Sequence, residues 1–168
     1  KIGELAGATY GENEETDIAM RVIADHIRAV SLSIADGASP GNDGRGYVIR
    51  RILRRAIRYG WDKLDQKEPF FHKLVPTRAG QFKAVFPVLI EQQDYVINVI
   101  KSEEQSFLKT LGQGIELFNE MVEGKDTLAG EDAFKLHDTF GFPIDLTQLM
   151  ARERGVEVDE AEFNRLMQ

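Results

Sequence analysis

Apolar residues along this chain recur every three to four positions over long runs, the spacing that lays them on one face of an α-helix. The first run holds Ile18, Val22, Ile23, Ile27, Val30 and Ile34 with acids early in it, and predicts a helix from Thr16 or Asp17 that Asp36-Gly37 stops. A loop from Ala38 to Asp43 follows, containing Pro40 and Gly41. A second run, Val48, Ile49, Ile52, Leu53, Ala56 and Ile57, then predicts another helix. Asn42 or Asp43 suits its N-cap, and Gly60 suits the left-handed position just past its end. Two helices joined by so short a loop predict an antiparallel or steeply crossed pair.

The remaining pattern is also helical. Residues 1–15 read as an irregular opening, with Gly3, Gly7 and Gly11 in a polar cluster. Pro69 is expected to open a short helix through Phe70, Phe71 and Leu74 that Pro76 ends, and Gln81 to Phe86 is a brief amphipathic segment. From Pro87 to about Val122 no further proline interrupts a stripe that includes Val96, Ile100, Phe107, Leu111 and Phe118. At 1.5 Å per residue such a helix runs roughly 50 Å, with Gly112 and Gly114 as possible bends. Its spacing never settles into a sustained heptad, which speaks against a coiled coil. After a polar loop from Gly124 to Gly130, a short helix breaks into the turn Phe140-Gly141-Phe142. Pro143 then suits the start of a helix over Ile144 to Arg154, and Asp159 caps a last segment. No strand longer than about three residues is indicated. The expected fold is all-α: a helical bundle with one long central helix and a C-terminal helical subdomain, with residues 1–123 and 124–168 as its two parts.

Charge changes the picture at the second helix. Arg45, Arg50, Arg51, Arg54, Arg55 and Arg58 fall within or just before it with no acid among them, although the chain carries −7 overall. Arginine holds phosphate oxygens two at a time through its planar fork and keeps its proton, so the stretch suits a polyanion. The competing reading is that two or three of these arginines pair with internal carboxylates, which the acidic surplus supplies. Tyr59 and Trp61, just beyond, can stack on bases, although packing into the core is the commoner use of such residues.

Other chemistries find little support. The order of Gly41, Gly44 and Gly46 is GxxGxG, with no preceding strand and no Lys-Ser/Thr pair after it, so nucleotide-binding loops are excluded. There are no cysteines, and His26, His72 and His137 lack the spacing of paired metal ligands. No nucleophile–base arrangement or carboxylate pair is recognisable, so no catalytic and no metal-binding residue is expected. No run reaches the roughly 18 apolar residues of a membrane span and no signal peptide opens the chain. A hydrophobic content of 42% with 29% charged residues fits a globular protein of ordinary type. The sequence starts at Lys1 rather than Met and stops at Gln168 within an unfinished helical pattern, and is expected to be a piece of a larger protein.

Two blocks carry a specific resemblance. The first runs from Asp17-Ile18-Ala19-Met20-Arg21-Val22 through Ile34-Ala35-Asp36-Gly37 and Pro40-Gly41-Asn42 to Gly44-Arg45-Gly46-Tyr47-Val48-Ile49-Arg50-Arg51. The second is Ala133-Phe134-Lys135-Leu136-His137-Asp138-Thr139-Phe140-Gly141-Phe142-Pro143-Ile144-Asp145-Leu146-Thr147. In this order, bracketing a variable middle, they closely resemble the alanyl-tRNA synthetase family over nearly the whole chain. Gly41 stands where Ser is usual, and His137 and Phe140 replace tyrosines.

The resemblance implies the helical region that follows the class II catalytic core and receives the tRNA(Ala) acceptor stem. Asn42 and Asp138 would read the G3·U70 wobble pair, while Arg45, Arg50, Arg51, Arg54, Arg55 and Arg58 would hold the tRNA backbone. It further implies that the intact cytoplasmic enzyme ligates alanine to tRNA with ATP, Mg and Zn, and that the upstream catalytic and downstream editing domains lie outside these residues. The fragment itself would then be inactive and free of cofactor. A helical protein-interaction module, its Arg helix docked on an acidic partner, is the alternative from another class.

Overall fold

The computed structural model describes residues 1–168 and contains nine α-helices, one 3₁₀ turn and two very short strands. The all-α expectation holds. Two compact units divide the chain, residues 1–106 and 107–168, and the division falls inside the longest helix rather than after it.

In the first unit, α1 (Ile2–Ala6) is a short helix where the glycines suggest irregular chain. Helix α2 spans Glu14–Ala35 and starts earlier than Thr16 because Asn13 caps it, its side chain accepting from the backbone N–H groups of Glu15 and Thr16. Glu14, Glu15 and Asp17 place negative charge against the positive end of the helix dipole. Ala19, Met20, Ile23, Ile27, Val30 and Ile34 form its buried face. Helix α3 (Gly44–Lys63) buries Ile49, Leu53, Ala56 and Ile57, and α2 against α3 is the largest helix–helix contact in the chain. Each such Ile or Leu contributes about 1.5–3 kcal/mol when fully buried.

Gly60 does not end α3. The helix runs through it to Lys63, and the Phe70 ring lies against the space a Cβ would take. The expected helix from Pro69 is instead the 3₁₀ turn Phe71–Leu74. It leads directly into α4 (Val75–Phe82), where Pro76 occupies the first turn, a position that needs no N–H donor, so this proline starts a helix rather than ending one. Helix α5 (Pro87–Glu91) and α6 (Gln93–Val122) are separated only at Gln92, and α6 passes Gly112 and Gly114 without interruption.

The second unit takes the C-terminal part of α6, α7 (Gly130–Phe140), α8 (Ile144–Glu153) and α9 (Glu160–Leu166). Two strands of two residues each, β1 (Thr127–Leu128) and β2 (Glu157–Val158), pair in parallel between them. Pro143 and Asp159 stand at the N-caps of α8 and α9, and the Asp159 carboxylate accepts from Glu162 N. Ala133, Leu136, Phe142, Leu146, Met150 and Phe163 are buried around this unit's core.

Candidate nucleic-acid interface

The loop before α3 is held tightly at one point. The Cβ that any residue but glycine would place at position 46 would lie 2.5 Å from the Ser39 carbonyl oxygen, so Gly46 lets the loop backbone close onto the first turn of the helix. Asn42 is exposed in this loop. Neither it nor Asp43 caps α3 through its side chain, as their types suggest: Asp43 occupies the N-cap without a side-chain bond. The Asn42 amide oxygen is instead occupied by Arg50, whose Nη1 donates to Oδ1.

Arg50 is itself held from α6. Its Nε donates to Glu103 Oε1 at 2.7 Å and its Nη2 to Oε2 at 3.3 Å. Arg54 donates to the same Oε1 at 2.9 Å. The Glu103 and Arg54 side chains are 10% and 11% exposed, so this carboxylate sits largely out of water between two guanidinium groups. Burial holds the Arg54 guanidinium below its ordinary pKa, with Glu103 beside it opposing that shift.

The remaining arginines divide by exposure. Arg45 is 75% exposed, its Nη2 at 3.5 Å from the equally exposed Asp36. Arg58 is buried and pairs with Asp62 at 3.4 Å. Arg51 and Arg55 are half-buried and have partners within the chain, Arg51 lying over the Tyr47 ring. Pairing with internal acids, the competing reading of this stretch, thus applies to Arg50, Arg54 and Arg58, and in a long, exposed contact to Arg45 with Asp36. Tyr59 and Trp61 are half-buried rather than core residues, with Arg58 and Lys67 respectively over their rings.

Asp138 belongs to the last turn of α7, in the second unit. That turn is fixed by a Schellman pair: Phe142 N donates to Leu136 O at 3.0 Å and Gly141 N to His137 O at 3.2 Å. Phe142 is fully buried and packs edge-on against Phe107 with ring centroids 5.7 Å apart, and Thr110 Oγ1 donates to Phe140 O at 2.8 Å. On this rigid support the Asp138 side chain is exposed, and it forms no ion pair or hydrogen bond within the chain.

Two functional-looking acids escape a reading of the sequence. Glu103 and Glu104 fall where the apolar stripe of α6 passes from Ile100 to Phe107, and both are buried. A pair of acids filling a gap in such a stripe is the signal that marks them. No group of three or more His, Cys, Asp or Glu residues is placed to hold a metal ion, and no helix is long and apolar enough to cross a membrane.

The profile of the family described as class II (A) tRNA synthetases matches residues 1–168, the full length of the chain. The alanine–tRNA ligase of Christiangramia forsetii is 60% identical over 165 residues, 97% of this chain and 19% of that protein. The chain belongs to the alanyl-tRNA synthetase family. Other members include the alanine–tRNA ligases of Chlorobium phaeovibrioides, 55% identical over 174 residues, and Flavobacterium psychrophilum, 53% over 180 residues. These cover 99% and 100% of the chain and 20% of each relative. The chain therefore spans about a fifth of the length of the synthetases it matches.

Proposed function

We propose that this chain is the tRNA-binding segment of an alanine–tRNA ligase, and that Asn42 and Asp138 read the G3·U70 pair of the tRNA(Ala) acceptor stem. The observation that carries the reading is the Asp138 carboxylate. It is exposed and without an internal partner at the C-terminal end of α7, where the helix dipole disfavours negative charge. Its presence there costs the helix stability and so points to something outside the chain.

An A-form duplex offers proteins its shallow minor groove, because the major groove is too deep and narrow for side chains. In a G·U wobble the guanine 2-amino group projects into that groove without its usual partner. An ionised Asp only accepts hydrogen bonds and suits this amine, whereas an Asn amide also donates and suits a neighbouring base or ribose oxygen. Phosphate contacts supply position and affinity but little sequence information. Among the six arginines, the exposed Arg45 is the one best suited to that part. ATP, Mg and Zn, together with the catalytic and editing chemistry, are assigned to other segments of the intact cytoplasmic enzyme.

The test is aminoacylation of acceptor-stem microhelices by the intact ligase. Asp138→Ala should lose about 1–3 kcal/mol of preference for the G·U over the G·C stem, the range known for base readout in DNA. Use of the G·C stem should barely change. A ligase that keeps its full preference after this substitution would refute the assignment.

A further inference from the structure

Resting on the reading of Asn42 as a base-reading residue, we propose that Arg50 and Glu103 are positioning residues for it. Glu103 orients the Arg50 fork, and Arg50 in turn fixes the Asn42 amide oxygen, so that Asn42 presents its amino group to RNA as a donor. The arrangement of atoms carries this. A free Asn side chain in an exposed loop turns readily and offers either a carbonyl or an amino group. Here Arg50 Nη1 donates to Oδ1, and the two N–H donors of Nδ2 are left without a bond inside the chain on an exposed residue. The Arg50 fork cannot wander, because Nε and Nη2 grip the two oxygens of Glu103 at 2.7 and 3.3 Å. Glu103 is held by Arg54 as well, in a setting only 10% exposed.

This gives Arg50 a role different from a phosphate contact. Its guanidinium is paired with Glu103, which it shares with Arg54, and Nε, Nη1 and Nη2 are engaged by Glu103 and Asn42. A lysine at this position retains a positive charge but has no planar fork to bridge the two partners. The relation parallels metal sites, where partners that orient a ligand change function about 10–100-fold when removed.

Arg50→Lys and Glu103→Gln are made in the intact ligase alongside Asn42→Ala and the double variant Arg50→Lys/Asn42→Ala. Aminoacylation of G·U and G·C microhelices is compared, the salt dependence of stem binding is measured, and folding is followed by circular dichroism on the same samples. The proposal expects Arg50→Lys to lower the G·U preference about tenfold or more with the salt slope unchanged. The double variant should discriminate no worse than Asn42→Ala alone. Glu103→Gln should lower the preference in the same direction. If Glu103→Gln disturbs folding, Arg50→Lys, which keeps the charge, decides alone. Full preference in Arg50→Lys, or a double variant clearly worse than Asn42→Ala, overturns the positioning role while leaving the reading of Asn42 intact. An Asn42→Ala ligase that retains its preference overturns both.

Discussion

The Glu104 carboxylate is fully buried, and the polypeptide backbone satisfies it. Its Oε2 accepts from the N–H groups of Phe70 and Phe71 at 2.9 Å each, and its Oε1 from His72 N at 2.7 Å with His72 Nδ1 3.2 Å away. These backbone donors open the 3₁₀ turn that leads into α4, where no earlier carbonyl can serve them. A glutamate distant in sequence thereby does the work of a local cap, and negative charge is favoured at that end. Glu104→Gln would put an amino group where one acceptor oxygen stood, facing donors rather than accepting from them. The expected loss is about 1–3 kcal/mol, the cost of a buried donor left unsatisfied. It should appear as a lower urea midpoint with an unchanged slope of stability against urea. An unshifted midpoint would mean that water replaces the carboxylate. Sequence pattern alone cannot supply this pairing, because the acid and its donors are brought together only by tertiary packing. The gap in the apolar stripe between Ile100 and Phe107 was the sole trace of it.

At the scale of elements, periodicity located the long helices and failed chiefly at glycine and proline, whose local meaning depends on distant neighbours. Gly60 has the chemistry of a helix stop, yet α3 continues because the Phe70 ring needs the room: a Cβ at position 60 would lie 2.4 and 2.5 Å from ring carbons. Gly114 does the same for Phe142 within α6. On helix propensity alone, Gly60→Ala would stabilise α3 by about 1 kcal/mol. Against that stands overpacking, typically about 1–3 kcal/mol where a buried group must shift. Phe70 is only 3% exposed and also packs edge-on against Phe71, so its ring cannot swing aside cheaply. The steric term should therefore win, and Gly60→Ala should lower the thermal midpoint. Combining it with Phe70→Leu should make the alanine less harmful than it is alone. A midpoint raised by Gly60→Ala would show that the ring yields. The proposal for Asn42 and Asp138 has another source: spacing and residue type leave both unremarkable as base readers, and the resemblance of the surrounding blocks singles them out. Their present geometry adds what the blocks do not contain, namely the Arg50 bond on Asn42 and the lack of any bond on Asp138.

For the whole molecule, the all-α class follows from the absence of alternating apolar runs, whereas the pattern does not mark residues 106 and 107 as the place where the two compact units divide. The stripe of α6 continues across Ser106 and Phe107 with no change of composition, so nothing in the pattern marks where one unit gives way to the next. Net charge poses the larger question of how a chain carrying −7 would hold the acceptor stem proposed for it. Counting the arginines of α3 overstates the positive surface, because Arg50 and Arg54 share Glu103 and Arg58 is buried beside Asp62. A charge that is paired and dehydrated within the chain displaces few counterions from RNA; an exposed one can displace its share. Arg45, 75% exposed with a loose contact to Asp36, meets that condition. Each phosphate neutralised contributes close to one unit to the slope of log affinity against log salt, about 0.9 for a duplex. Arg45→Ala in the intact ligase should therefore weaken binding to G·U and G·C stems alike and flatten that slope by just under one unit. Arg54→Ala should act differently. Loss of one guanidinium from the Glu103 site should lower the unfolding midpoint, leaving the salt slope nearly as it was. A flattened slope for Arg54→Ala and none for Arg45→Ala would place the phosphate contact on the buried side of α3 and reverse this assignment.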